Sequence, residues 1–223
     1  MLDIDLTRYR VVDLSYEVVP GELEDRPFDI KPKMLGDGTY AYDITKTHSH
    51  VGTHVEAPWH YYKSGKTITD LPITHFMGRA VFLPFRLPAG QLEMSPAYVK
   101  AEIGSLLREG DIVLFHNAHN KGLRIGRVSE AEARTVPYIT REAAIWLRDH
   151  KIKMFGFDIL NFGTTREDGR EIHDIFMSHD VCLIEWLDHM DELDRREFYF
   201  MAFPFKVRNL DSSFARAIAI IER

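Results

Sequence analysis

The chain of 223 residues is 45% hydrophobic and carries a formal charge of −6. Its length suits one domain with a substantial core, and an acidic balance without a basic run excludes the electrostatic footprint of a nucleic-acid binder. A lone cysteine rules out an internal disulfide and fits a reducing compartment, and no apolar run reaches the eighteen residues of a membrane span.

The N-terminal MLDIDLTRYR has no apolar signal core, so a soluble, cytoplasmic protein is expected. The first strand-like runs are RVVDLSY and GTYAYDITKTH. Residues 48–60, HSHVGTHVEAPWH, then place four of the eleven histidines (His48, His50, His54 and His60) in thirteen positions. Glu56 lies two residues after His54, and Gly52 and Pro58 punctuate the run. Imidazole plus carboxylate with no cysteine nearby is the ligand set of a catalytic zinc or manganese site. A fully extended chain would separate His50 from His54 by about 13 Å at about 3.3 Å per residue. Two ligands of one ion need donor atoms about 3 Å apart. The chain must therefore fold back, and Gly52, Val51, Thr53, Val55 and Pro58 disfavour doing so as a helix. A turn hinged at Gly52 is expected to bring His50, His54 and Glu56 together and to present His60 beside them. The alternative is a histidine-rich surface loop; the carboxylate and the turn residues favour a site.

Further along, AVFLPF reads as a strand. Ser95 as N-cap and Pro96 at the first helical position start a helix expected to run through Leu107. DIVLFH is the next strand, followed by the polar, irregular NKGLRIGRVSEAEARTVP, either an active-site cover, a subunit contact or a solvated loop. A second helix is expected from Thr140 to His150 on the apolar pattern of Ala143, Ala144 and Leu147. KMFGFDIL, VCLIEW, EFYFMAFPF and SFARAIAII complete the strands, with Cys182 inside the buried run VCLIEW. Asp158 and Asn161 follow one of these strands and are candidates to approach the site. No repeat, low-complexity tract or linker divides the chain, so residues 1–223 are expected to form a single α/β or α+β domain with mixed sheets.

The 48–60 segment resembles the metal-dependent cyclase family, which includes bacterial kynurenine formamidases and isatin hydrolases. The family signature H-x-G-T-H-x-D-A-P-x-H is matched in register by His50, Gly52, Thr53, His54, Ala57, Pro58 and His60, with Glu56 where the family usually has aspartate. VVDLSYEVVPGE, GKTITDLPITHFMGRAVFLPF, GDIVLFHNAHN and RAIAI resemble the flanking family segments, extending the likeness over about residues 10–221. The resemblance implies the swivelling β/β/α fold, assembled as a homodimer or homotetramer. It also implies two divalent ions per chain, zinc or manganese, and a hydroxide generated between them that attacks an amide carbonyl. His50, His54 and Glu56 would hold the first ion, Glu56 would bridge, and His173 and Glu185 would complete the second site, a histidine opening a short helix twelve residues before the glutamate. His179 is the alternative to His173. His60 would act as general acid/base.

Trp59 and Tyr61, with Tyr62, flank the motif and are expected either to stack on an aryl ring of a small-molecule substrate or to serve as packing. The leading expectation is thus a metal-dependent hydrolase of a small amide or cyclic amide, in the manner of a kynurenine formamidase. The competitors are another reaction on the same scaffold (lactone or imide opening, or dehydration) and a non-catalytic metal-binding protein.

Overall fold

The computed structural model describes residues 5–22, 26–88, 90–120 and 130–223. In chain order the strands and helices are β1 (Tyr9–Asp13), β2 (Asp29–Met34), β3 (Tyr40–Lys46), β4 (His54–Glu56), β5 (Met77–Phe85), β6 (Glu93–Met94), α1 (Pro96–Ile103) and β7 (Ile112–Asn117). They continue with α2 (Glu130–Ala133), β8 (Tyr138–Ile139), α3 (Arg141–Asp149), β9 (Met154–Phe157), β10 (Asn161–Phe162), α4 (Arg166–Met177), β11 (Cys182–Glu185), β12 (Glu197–Pro204) and β13 (Ser212–Glu222). The main sheet runs β1-β13-β12-β5-β7-β9-β11-β4, and β4 also pairs with β13. That last pairing closes seven strands on themselves, with β1 following β4 along the same edge of β13. Within this sheet β5, β7, β9 and β11 are parallel and the other pairings antiparallel, while β10, β8 and β6 form a separate parallel sheet, giving the mixed α/β architecture expected.

Strand periodicity divides the core in two. Ala80, Phe82, Ile112, Leu114, Met154 and Ile184 fill the inside of the closed sheet. Their neighbours Val81, Leu83, Val113, Phe115, Phe155 and Leu183 face outward. There they pack on Val99 and Ile103 of α1, Ala143, Ala144 and Leu147 of α3, and Ile172, Ile175 and Phe176 of α4. Strands buried on both faces read as continuous apolar runs, which is why these were recognisable. Each fully buried large side chain contributes roughly 1.5–3 kcal/mol.

Every strand-like run of the sequence contains a strand, and α3 starts where expected, at Thr140, which caps it by accepting from the Ala143 amide. Ser95 and Pro96 start α1 as expected, but the helix stops at Ile103 rather than Leu107: Gly104 caps it on the Lys100 carbonyl and the chain turns. Of the irregular stretch after β7, residues 121–129 lie outside the described residues, and residues 130–133 form α2.

Helix α4 is longer than the sequence suggested, and His173 sits in its second half instead of opening it. Thr165 and Asp168 form a reciprocal capping box at its start, worth about 1 kcal/mol. Among the described residues no helix is long and apolar enough to cross a membrane. The hairpin β2–β3 stands apart from the closed sheet as its own two-stranded sheet. Its pairs Ile30–Ile44, Pro32–Tyr42 and Met34–Tyr40 share one face.

Candidate metal centre

The site is built on the shortest strand of the closed sheet. Gly52 takes φ of 60°, and a Cβ there would meet Val18 Cγ2 at 2.4 Å, so only glycine makes this turn. The turn returns His50 to His54, their ring centroids 5.1 Å apart. In β4 the two-residue period sends Val55 into the interior and His54 and Glu56 to the outer, helix-bearing face. β11 lies alongside, with Glu185 directly opposite His54; its Oε2 is 3.7 Å from His54 Nε2. α4 then brings His173 over the same face. Two triads result, each with ligand atoms within 4.8 Å of one another: His50, His54 and Glu56, and Glu56, His173 and Glu185. Glu56 belongs to both.

The hydrogen bonds fix which nitrogens point inward. His54 Nδ1 lies 2.7 Å from the Gly52 carbonyl, which can only accept, so Nδ1 carries the hydrogen and Nε2 offers a lone pair. His173 does the same through Nδ1 and the Gly169 carbonyl at 2.6 Å. His54 Nε2 and Glu56 Oε2 are buried without a hydrogen-bond partner among the described residues. Each such orphan costs about 1–3 kcal/mol. A divalent cation is the partner that suits two imidazole lone pairs and two carboxylates with no thiolate.

Electrostatics sharpen the assignment. Burial drives the Glu56 carboxyl up, but the His50 N–H, donated at 2.7 Å, overrides this and holds it well below its ordinary range. Glu185 goes the other way, raised first by burial and then by the negative charge of Glu56. Burial lowers the His50 pKa, yet hydrogen bonds to Asp211 and Glu56 lift it to about 9. Both His50 nitrogens therefore carry protons, and a metal bound through this ring must displace one.

Asp211, just before β13, is a member of the site that sequence reasoning missed. Its Oδ2 accepts from His50 Nε2 at 3.0 Å and from His60 Nδ1 at 2.9 Å. Ser49 Oγ holds its other oxygen at 3.0 Å, and its carbonyl anchors the Ala57 amide. His60 is thereby oriented with Nε2 free of this bond. Burial pulls its pKa down, but the Asp211 hydrogen bond raises it above the ordinary value. His50, His60 and Asp211 form a third grouping within ligand distance, but it satisfies its own hydrogen bonds, unlike the two triads.

Of the remaining candidates, Tyr61 stacks flat on His173, centroids 4.7 Å apart and planes 7° apart. The Trp59 indole instead donates to the Lys63 carbonyl within its own turn and makes no ring contact with the cluster among the described residues. His179 pairs with the Ser178 hydroxyl, away from the triads, so it is His173 that meets Glu185. Asp158 joins neither triad; it ties β9 to β7 by binding His116 Nδ1 and the Asn117 amide. Asn161 opens β10 beside Tyr138.

The comparisons agree with this architecture. A family model described as putative cyclase matches residues 12–164, which include His50, His54, Glu56 and His60 but stop short of His173, Glu185 and Asp211. A kynurenine formamidase of Bacillus cereus is 25% identical over 202 residues, covering 87% of this chain and 88% of the relative. One from Bacillus mycoides is 24% identical over 202 residues with the same coverage. Isatin hydrolase A from Labrenzia aggregata, solved with benzyl benzoate, superposes with a TM-score of 0.81 at 21% identity over 97% of this chain and 95% of that one. A predicted metal-dependent hydrolase from Bacillus stearothermophilus gives 0.73 at 21% identity, covering 95% and 98%. With a family match over most of its length, and with that family's fold, the chain belongs to the putative cyclase family.

Proposed function

We propose that the protein is a metal-dependent hydrolase of a small amide, with aryl formamides as the leading substrates. The observation that carries this reading is the pair of triads sharing Glu56, with His54 Nε2 and Glu56 Oε2 buried there and without a hydrogen-bond partner among the described residues. His50, His54 and Glu56 would hold one divalent ion, and Glu56, His173 and Glu185 a second; zinc and manganese both suit the donors. When bound, such ions polarise a carbonyl and lower the pKa of water enough to supply a nucleophile near neutral pH.

The rest of the work belongs to the chain. His60 carries a proton at Nε2 to the leaving amine, and Asp211 fixes the ring for that transfer. Tyr61 walls the approach from the α4 side. A pure metal-binding role has no use for a histidine aligned by its own carboxylate. Ring opening of a cyclic amide or lactone is the second reading, favoured by Glu56, one methylene longer than the family's aspartate.

Metal content of protein purified without chelator, followed by a panel of formanilide, isatin and an aryl lactone at fixed metal, tests both. Near two ions per chain with formanilide turned over fastest is the expected result. Preference for isatin or the lactone would favour ring opening, and failure to take up zinc or manganese on reconstitution would sink the hydrolase.

The hairpin supports a homo-oligomer. Met34, Tyr40 and Tyr42 on one of its faces are 64%, 70% and 61% exposed, too apolar a ribbon to be left in water. An isolated hairpin is marginal alone, and burial against a second copy would stabilise it. Light scattering should find a dimer or tetramer, and Tyr40→Glu with Tyr42→Glu should yield a monomer; an unchanged mass would exclude the hairpin as the interface.

A further inference from the structure

Glu185 is the least supported ligand of the two triads. His50, His54 and His173 are each oriented by a hydrogen bond from outside them, to Asp211, the Gly52 carbonyl and the Gly169 carbonyl. Glu185 has no such bond among the described residues; His54 Nε2 stands 3.7 Å from its Oε2, beyond hydrogen-bond reach. Its place is set instead by the backbone, which turns sharply at the end of β11. Trp186, the next residue, takes φ of 60°, a left-handed conformation that a tryptophan keeps only where its surroundings impose it.

Three residues impose it. The Trp186 carbonyl accepts from the Thr53 hydroxyl at 2.5 Å, and that hydroxyl accepts in turn from the Tyr16 amide at 2.7 Å. The Tyr16 ring meets the indole edge-on, centroids 5.3 Å apart. Arg26 covers the indole, its guanidinium carbon 5.3 Å from the ring centroid. The buried indole N–H has no hydrogen-bond partner among the described residues, so ring contacts rather than a hydrogen bond hold the side chain. The same guanidinium reaches the other triad: Nη1 donates to the His50 carbonyl at 3.0 Å. Its positive charge also acts on the Glu185 carboxylate. One side chain from the loop before β2 thus spans the loop that carries His50 and the turn that carries Glu185.

We propose that Arg26 is a positioning residue that locks the turn after β11 onto the His50 loop and so holds Glu185 in place for the second ion. The role rests on the two-ion reading above. A planar guanidinium suits both contacts at once, stacking on the indole while an N–H at its edge donates to the carbonyl. The first triad has supports of its own. Asp211 orients His50, the Gly52 carbonyl orients His54, and β4 is paired on both edges, by β11 and β13. Loss of Arg26 therefore falls on the second ion.

The test measures zinc binding to the stripped wild type, Arg26→Met and Arg26→Lys by competition with a chromophoric chelator, with circular dichroism to check the fold. Methionine keeps an unbranched stem over the indole and loses the charge and the donors. Arg26→Met should loosen the second ion about 10–100-fold, the range for a residue that orients a ligand, and leave the first within about threefold. Arg26→Lys keeps a charge and a donor without the planar stack. It should show a smaller loss of the same pattern, and it decides the question if the methionine variant does not fold. Glu185→Gln should hold one ion, and adding Arg26→Met to it should change nothing, because the ligand through which Arg26 acts is gone. Two ions bound by Arg26→Met as tightly as by the wild type would overturn the proposal and leave the metal centre standing. Equal weakening of both ions, or a further loss in the Glu185→Gln background, would also overturn it, since general loosening of the fold predicts both. A wild type that binds one ion or none removes the two-ion centre itself, and the role of Arg26 with it.

Discussion

Glu56→Ala is expected to strip the protein of its divalent ions and of metal-dependent hydrolysis together. Glu56 is 3% exposed and stands in both triads, so its removal leaves each with two ligands. Loss of a residue that merely orients a ligand costs about 10–100-fold in metal affinity or activity, and loss of a shared ligand should exceed that range. The fold should survive. Glu56 and Glu185 are buried carboxylates facing the same cluster, and removing one relieves the repulsion that raises the other. Glu56→Gln, which keeps the shape, is the control for packing. Metal per chain by mass spectrometry, alongside circular dichroism, reads the result. A folded Glu56→Ala protein with unchanged metal content would show that neither triad holds the ion. Glu56→Asp, restoring the family residue, should keep the ions and alter kcat/KM, because the carboxylate retreats by one methylene.

The part of the site legible in the sequence is the part that is local. His50, His54, Glu56 and His60 fall within eleven positions around a glycine at a left-handed turn with no room for a Cβ, so pattern and turn chemistry sufficed. β4 itself was not legible: a three-residue strand shows no period, and its place between β11 and β13 depends on how the sheet closes. Asp211 left no signal, because it reaches His60 across 151 positions and reads in sequence as an ordinary residue before a strand.

Helix α4 was underestimated for a different reason. Its apolar stripe, Ile172, Ile175 and Phe176, occupies only the second half, and Gly169 interrupts the polar first half. The capping box of Thr165 and Asp168 was the available sign. β2 went unread because Pro32 and the lysines on either side of it break the usual strand composition. In both cases tertiary pairing, with α3 and with β3, outweighs local preference.

His60→Ala should lower kcat by about 10²–10⁴-fold, the range for loss of a positioned general acid or base, while leaving metal content unchanged. That combination separates a proton-transfer role from ligation, since an ion held by the grouping of His50, His60 and Asp211 would be lost with it. Asp211→Asn probes the same histidine through its orienting partner. It keeps an acceptor for His60 Nδ1 but removes the charge, and about 10–100-fold in kcat at saturating metal is expected. The direction of the pH effect follows from the causes. Burial lowers the His60 pKa and the Asp211 hydrogen bond raises it, so neutralising Asp211 lets the pKa fall. If protonated His60 donates to the leaving amine, the alkaline limb of the kcat profile must move to lower pH in Asp211→Asn. A limb that stays in place while kcat drops would mean that Asp211 acts through His50 instead, its other partner at 3.0 Å.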